Sequence, residues 1–140
     1  KKFPSQIVGV KDSSYNLFEN LRLDNFSIFP GSELKLLKGL QIGCKGIITA
    51  TCNVTAELSR KVYDDFFNKK DQVYNEKLCE VRSVFDDYNL ISSLHTFYSK
   101  EDKIYKNILP PLRLLNENEE KNFLNRLKKL NFSMKSQKAA

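Results

Sequence analysis

Much of what would mark a metal site, a disulfide framework or a membrane protein is missing from this sequence. Its three cysteines, Cys44, Cys52 and Cys79, are an odd set with neither a C-x-x-C spacing nor a paired histidine. That pattern argues against structural disulfides and against zinc, and a reducing, cytoplasmic setting fits it. The cysteines read most simply as small hydrophobic side chains. The single histidine, His95, falls in an apolar helical stretch and reads as packed or half-exposed, not as a ligand or a base. No apolar run approaches the roughly 18 residues that span a bilayer, and no charged-then-apolar leader opens the chain, so neither a membrane partner nor export is expected. Low-complexity tracts are also absent. A basic stripe is lacking too, although the formal net charge is +6 and the pI about 9.2. Lys and Arg recur singly among Asp and Glu until Arg126, Lys128, Lys129, Lys135 and Lys138 gather near the end. This reads as a solvated helix face, and no nucleic-acid partner is expected.

What is present begins with one core's worth of material: 140 residues, 41% of them hydrophobic. The chain opens at Lys1, and a strand-like run, Gln6 to Val10, starts almost at once, as in a truncated product. The first half repeats a unit of apolar run, turn and helix-period segment. The runs are Ile7–Val10, Phe26–Phe29 and Gly46–Ala50, rich in β-branched or aromatic residues. Between them, Leu17, Phe18 and Leu21, then Leu34, Leu37 and Leu40, fall at helical spacing. Such βα units join parallel strands by right-handed crossovers. The strands' C-terminal ends, Lys11-Asp12, Gly31 to Glu33 and Thr49 to Asn53, should therefore share one edge, where α/β proteins bind ligands.

Beyond Thr55 the pattern turns helical. Leu58, Val62 and Phe66 mark one helix, Tyr74, Leu78, Val81, Phe85 and Tyr88 a longer one, and Leu90 to Tyr98 a third. The Pro110-Pro111 pair should stop any helix before it. A last helix should start near Asn116, with Glu119 completing a capping box and Phe123, Leu127 and Leu130 on its buried face. The expected organisation is βα units over residues 1–70, a helical extension over 71–132, and a polar, fraying tail over 133–140.

A lysine at the end of a buried strand carries chemical information. An amine of ordinary pKa, about 10.4, is neutral roughly once in 2,500 molecules at pH 7, whereas a fall of ~3 units makes half of it nucleophilic. Apolar walls supply that shift, at about 4 kcal/mol, in enzymes that form Schiff bases. Alternation along the strand places Ile7, Gly9 and Lys11 on one face and Val8, Val10 and Asp12 on the other. Gly46, Ile48 and Ala50 would then form a small apolar floor. A lysine that snorkels from a strand end into water is the plainer alternative.

Three ordered blocks, Ile7-Val-Gly-Val-Lys-Asp-Ser-Ser14, Pro30-Gly-Ser-Glu33 and Gly43-Cys-Lys-Gly-Ile-Ile-Thr-Ala-Thr-Cys-Asn-Val54, resemble the second half of the dihydrodipicolinate synthase and N-acetylneuraminate lyase family. The resemblance is close over Ser5 to Tyr63 and implies an α/β fold: the last three βα units of a (β/α)8 barrel, then a helical extension. It implies that Lys11 is the catalytic Schiff-base lysine of a class I, pyruvate-type aldolase or lyase. It further implies that Gly31 and Ile48 bind substrate, with Ala50 on the same floor, and that Glu33 touches substrate hydroxyls. The implied substrates are 2-keto-3-deoxy sugar acids, hydroxy-oxo acids or dihydrodipicolinate precursors. No cofactor and no metal are implied, and the complete protein should be a dimer or tetramer. The family's carboxylate-binding Thr-Thr segment and tyrosine proton shuttle lie in an earlier half of the barrel that this chain does not contain. The isolated chain is therefore expected to be inactive.

Each position has a local reading as well. Gly31 can serve a tight turn, Glu33 can favour a helix start through the dipole, and Asn53 can organise its loop. Two other functions stay open on the sequence: a basic helical module that binds nucleic acid, and a non-catalytic relative used for assembly.

Overall fold

The computed structural model describes residues 2, 3 and 5–133, so most of the expected tail lies outside the described residues. In chain order come β1 (Gly9–Asp12), α1 (Leu17–Asn20), β2 (Ser27–Pro30), α2 (Leu36–Gln41), α3 (Cys52–Phe67), α4 (Asn75–Asp86), α5 (Leu90–Tyr98) and α6 (Glu117–Lys129). Single turns of 3-10 helix, Glu33–Lys35 and Lys103–Lys106, precede α2 and follow α5.

β1 and β2 pair in parallel, with Gly9 beside Ser27 and Lys11 beside Phe29, as a βαβ crossover requires. The third expected strand, Gly46–Ala50, does not form. Its backbone makes one ladder bond to β2, from Ile48 N–H to Pro30 O at 3.1 Å. Gly46 has φ +143°, outside the strand region, and among the described residues no further strand pairs with its outer edge. Without a second rung or a second neighbour the segment stays extended but irregular.

The crossover helix α1 is a single turn, held less by its own ladder than by Asp12. In α2 the buried face is Leu36, Gly39 and Leu40; Leu34, expected on that face, is exposed because it sits in the preceding 3-10 turn, which rotates it outward.

The helices share one core that takes in Leu36, Leu40, Val54, Leu58 and Val62 as well as Leu78, Phe85, Phe97, Phe123 and Leu127. A boundary at residue 70 thus separates kinds of element while the core runs through it. At its centre Phe123 is fully buried and meets Phe85 and Tyr88 edge to face, with ring centroids 5.0 and 5.4 Å apart. A second, smaller cluster of Phe18, Ile28 and Cys44 fills the space between the sheet and α1. The capping box of α6 is complete: the Asn116 side chain accepts from the Glu119 N–H at 3.0 Å, and the Glu119 carboxylate accepts from the Asn116 N–H at 2.9 Å. Among the described residues no helix is long and apolar enough to cross a membrane.

Candidate active site

Alternation divides the sheet into two faces with different fates. Towards the helices, Val10 packs on the smaller cluster, and Asp12, Ile28 and Pro30 are buried. The opposite, inner face carries Gly9, Lys11, Ser27 and Phe29. Gly9 is required there, because a methyl group at that position would stand 2.8 Å from the Ser27 carbonyl oxygen and 3.4 Å from the Phe29 ring.

Gly31 continues β2 at the same edge. A methyl group at Gly31 would lie 3.5 Å from Lys11 Cε and 3.3 Å from Ser13 Oγ, so the lysine stem runs across the bare glycine backbone. The Ile48 bond to Pro30 O repeats the geometry by which Ser27 N–H meets Val8 O beside Gly9. It sets Ile48 next to Gly31 with its side chain on the inner face. Lys11, Gly31 and Ile48 are thereby brought to one place, and Ala50 follows two residues along the same segment.

The expected enclosure of the amine is not met within this chain. Lys11 is exposed, Ile48 is 49% exposed and Ala50 is exposed, because a two-stranded sheet supplies a wall on one side only. The alternation itself holds, and Asp12 does not neutralise Lys11. The Asp12 carboxylate lies on the helix side and is 1% exposed. It accepts from the backbone N–H of Leu17 and Phe18, each at 2.9 Å, from the Ser14 N–H at 3.1 Å and from the Ser14 hydroxyl at 2.7 Å. Desolvation raises its pKa, but these four donors outweigh that effect and hold it below the ordinary carboxylate value.

Glu33 departs from expectation. It is fully buried, whereas Lys11, Ile48 and Ala50 are exposed. Oε1 accepts from Thr51 Oγ1 at 2.5 Å and Thr55 Oγ1 at 2.8 Å; Oε2 accepts from Thr49 Oγ1 at 3.1 Å and Arg82 Nη1 at 2.9 Å. Four donors occupy the acceptor sites of this carboxylate, which places Glu33 in a buried network and not on the exposed face that carries Lys11. A buried ion needs such partners.

Arg82 was not anticipated from the sequence. Its Nη1 also lies 2.7 Å from Thr49 Oγ1 and 2.8 Å from Thr51 Oγ1, while Nε and Nη2 hold Asp86 at 2.9 and 2.8 Å. Burial works against its charge, but the Asp86 hydrogen bond and the Glu33 and Asp86 charges overcome that and raise its pKa. A signal existed: Arg82 follows Leu78 by one helical turn and precedes Phe85 by three residues, which puts a cation on a buried face and demands a counter-charge.

Asn53 does organise its loop, donating to Ala50 O at 2.8 Å, and its own carbonyl accepts from the Tyr98 hydroxyl at 2.5 Å. His95 is half-buried, with Nδ1 2.9 Å from Tyr105 O. Burial pushes the Cys44, Cys52 and Cys79 thiols up, away from the nucleophilic thiolate form. Among the described residues no cluster of His, Cys, Asp and Glu could hold a metal ion.

A family model described as the dihydrodipicolinate synthetase family matches residues 2–130. No curated protein sequence matches. Among solved structures, a dihydrodipicolinate synthase from Bacillus anthracis superposes with a TM-score of 0.76 at 20% identity, over 87% of this chain and 44% of the other. The dihydrodipicolinate synthase from Thermotoga maritima gives 0.76 at 17% identity, over 89% of this chain and 46% of the other. A variant of the 2-keto-3-deoxygluconate aldolase from Sulfolobus solfataricus gives 0.77 at 20% identity, over 93% and 47%. This chain therefore has the fold of part of these proteins and spans just under half their length.

Proposed function

The chain belongs to the dihydrodipicolinate synthetase family, and from that premise we propose that Lys11 is the Schiff-base lysine of a class I aldolase or lyase acting on 2-oxo acids. The observation that carries this reading is the passage of the Lys11 stem across Gly31, where an added methyl group would stand 3.5 Å from Lys11 Cε, with Ile48 in register beside Gly31. Lys11, Ile48 and Ala50 are all exposed on that face, so a small keto acid can reach the amine from solvent. The neutral amine adds to the keto carbon; loss of the former carbonyl oxygen as water gives an iminium. The iminium draws electrons from the neighbouring carbon, so a carbon–carbon bond there breaks to leave an enamine, or forms from it. Gly31, Ile48 and Ala50 are the floor of the site. Glu33, saturated by its own partners, is left out.

The family resemblance supports the finer parts of the proposal. The β-strand region over residues 1–70 corresponds to the last three βα units of a (β/α)8 barrel, and residues 71–132 to a helical extension. The substrates are 2-keto-3-deoxy sugar acids, hydroxy-oxo acids or dihydrodipicolinate precursors, and the complete protein is a dimer or tetramer of the cytoplasm. This chain alone is a poor catalyst, since its Lys11 is walled on one side only and water competes for the amine. Trapping tests the reading. Borohydride added with pyruvate to the complete protein should fix one reduced pyruvyl group per chain and abolish retro-aldol cleavage. An unchanged mass at saturating pyruvate rejects it.

A further inference from the structure

A buried polar cluster joins Glu33, Thr49, Thr51, Thr55 and Arg82, and the two loops that enter it each carry a floor residue. Glu33 is two residues past Gly31, and Thr49 directly follows Ile48. Resting on the Schiff-base reading above, we propose that Arg82 is a positioning residue that sets the spacing between Gly31 and Ile48, and so the size of 2-oxo acid that Lys11 accepts.

The two floor segments do not form a regular ladder; the backbone bond from Ile48 N–H to Pro30 O, 3.1 Å, is their direct main-chain link. One interaction of that kind leaves rotation and sliding open. Side chains close those freedoms. A single nitrogen, Arg82 Nη1, reaches Glu33 Oε2 at 2.9 Å in one segment and Thr49 Oγ1 at 2.7 Å in the other. Thr49 in turn donates to Glu33 at 3.1 Å, so the three groups close a ring across the two segments.

The guanidinium is itself fixed. Its other two nitrogens hold Asp86 on α4, and α4 is anchored by fully buried Leu78, Val81 and Phe85. Because the fork is planar, holding two of its nitrogens at Asp86 fixes where the third stands, an orientation that the flexible stem and point charge of a lysine do not impose. Gly31 and Ile48 flank the Lys11 stem, so on the Schiff-base reading they are the backbone and side chain nearest to an acid joined to its amine. A pocket of fixed width discriminates one methylene by about 10-fold or more, and a loosened one does not.

The test compares pyruvate with 2-oxobutanoate in borohydride trapping on the complete protein. The rate ratio for adduct formation is read in wild type, Arg82→Met, Thr49→Val and Asn116→Ala. The last removes the side-chain cap of α6, which touches neither Arg82 nor the α4 anchors, and reports what destabilisation alone does. Arg82→Met and Thr49→Val should move the ratio at least about threefold towards unity, while Asn116→Ala leaves it unchanged. Should Arg82→Met fail to fold, Thr49→Val carries the same comparison. Ratios within twofold of wild type in the floor variants, or an equal shift in Asn116→Ala, overturn the positioning role while leaving Lys11 chemistry intact. No adduct in wild type with either acid overturns the Schiff-base reading, and the positioning role falls with it.

Discussion

Replacing Arg82 by methionine should be among the most destabilising single changes in this protein. The guanidinium is buried and reaches Glu33, Thr49, Thr51 and Asp86, and Glu33 is fully buried opposite it. Removing the cation leaves a carboxylate out of water with three hydroxyl donors and no counter-charge. The expected loss is about 3–5 kcal/mol, the range for breaking one partner of a buried pair. Glu33→Gln should cost less, about 1–3 kcal/mol, because Arg82 keeps Asp86 and the glutamine oxygen still accepts from the threonines. The double variant should cost less than the sum by about 1–3 kcal/mol, since each single change strands the other's partner. Urea unfolding followed by far-ultraviolet circular dichroism measures all three, and tryptophan fluorescence is not an option because the sequence has no tryptophan. An Arg82→Met protein within 1 kcal/mol of wild type, or a strictly additive cycle, would refute the claim that these charges depend on each other.

Phe123→Ala should cost about 3–5 kcal/mol by the same assay, because it empties a fully buried position ringed by Phe85, Tyr88 and Phe97. Asn116→Ala removes the side-chain acceptor of the α6 capping box, which receives the Asn118 and Glu119 N–H groups, and should cost about 1 kcal/mol, visible as fraying of that helix in amide exchange. Asp12→Asn should destabilise by about 1 kcal/mol at neutral pH, since a neutral amide receives the α1 N–H groups less well. Because the Asp12 pKa is lowered in the folded protein, its contribution is complete above the unfolded-state value of about 3.9 and vanishes as pH falls through the lower folded value. The acid limb of the stability–pH curve should therefore be flatter in the variant, and parallel limbs would contradict the assignment.

Local signals carried much of the fold. The capping box at Asn116 and Glu119, the Leu90–Tyr98 helix and the buried stripe of Leu78, Val81 and Phe85 follow from spacing alone, and each depends on neighbours within a turn or two. Opposite faces for Lys11 and Asp12 follow from strand alternation, which no tertiary contact can alter without breaking the pairing with β2. What escaped depends on distant partners. The Gly46–Ala50 segment has the composition of a strand, but among the described residues it has no second neighbour to complete its ladder. The dipole reading of Glu33 was reasonable for a carboxylate before a helix, yet its fate was decided by Arg82, 49 residues away. Enclosure of Lys11 likewise needs strands beyond the two that pair here, so the residue type was legible and its surroundings were not.

The decisive measurement is the location of the trapped adduct. After the complete protein is incubated with pyruvate and borohydride and digested, tandem mass spectrometry should place the reduced pyruvyl group on the peptide holding Lys11 and on no other lysine. Substitution of Lys11 by methionine should eliminate it. Label spread over surface lysines, or an adduct that survives the loss of Lys11, would contradict the account at its root.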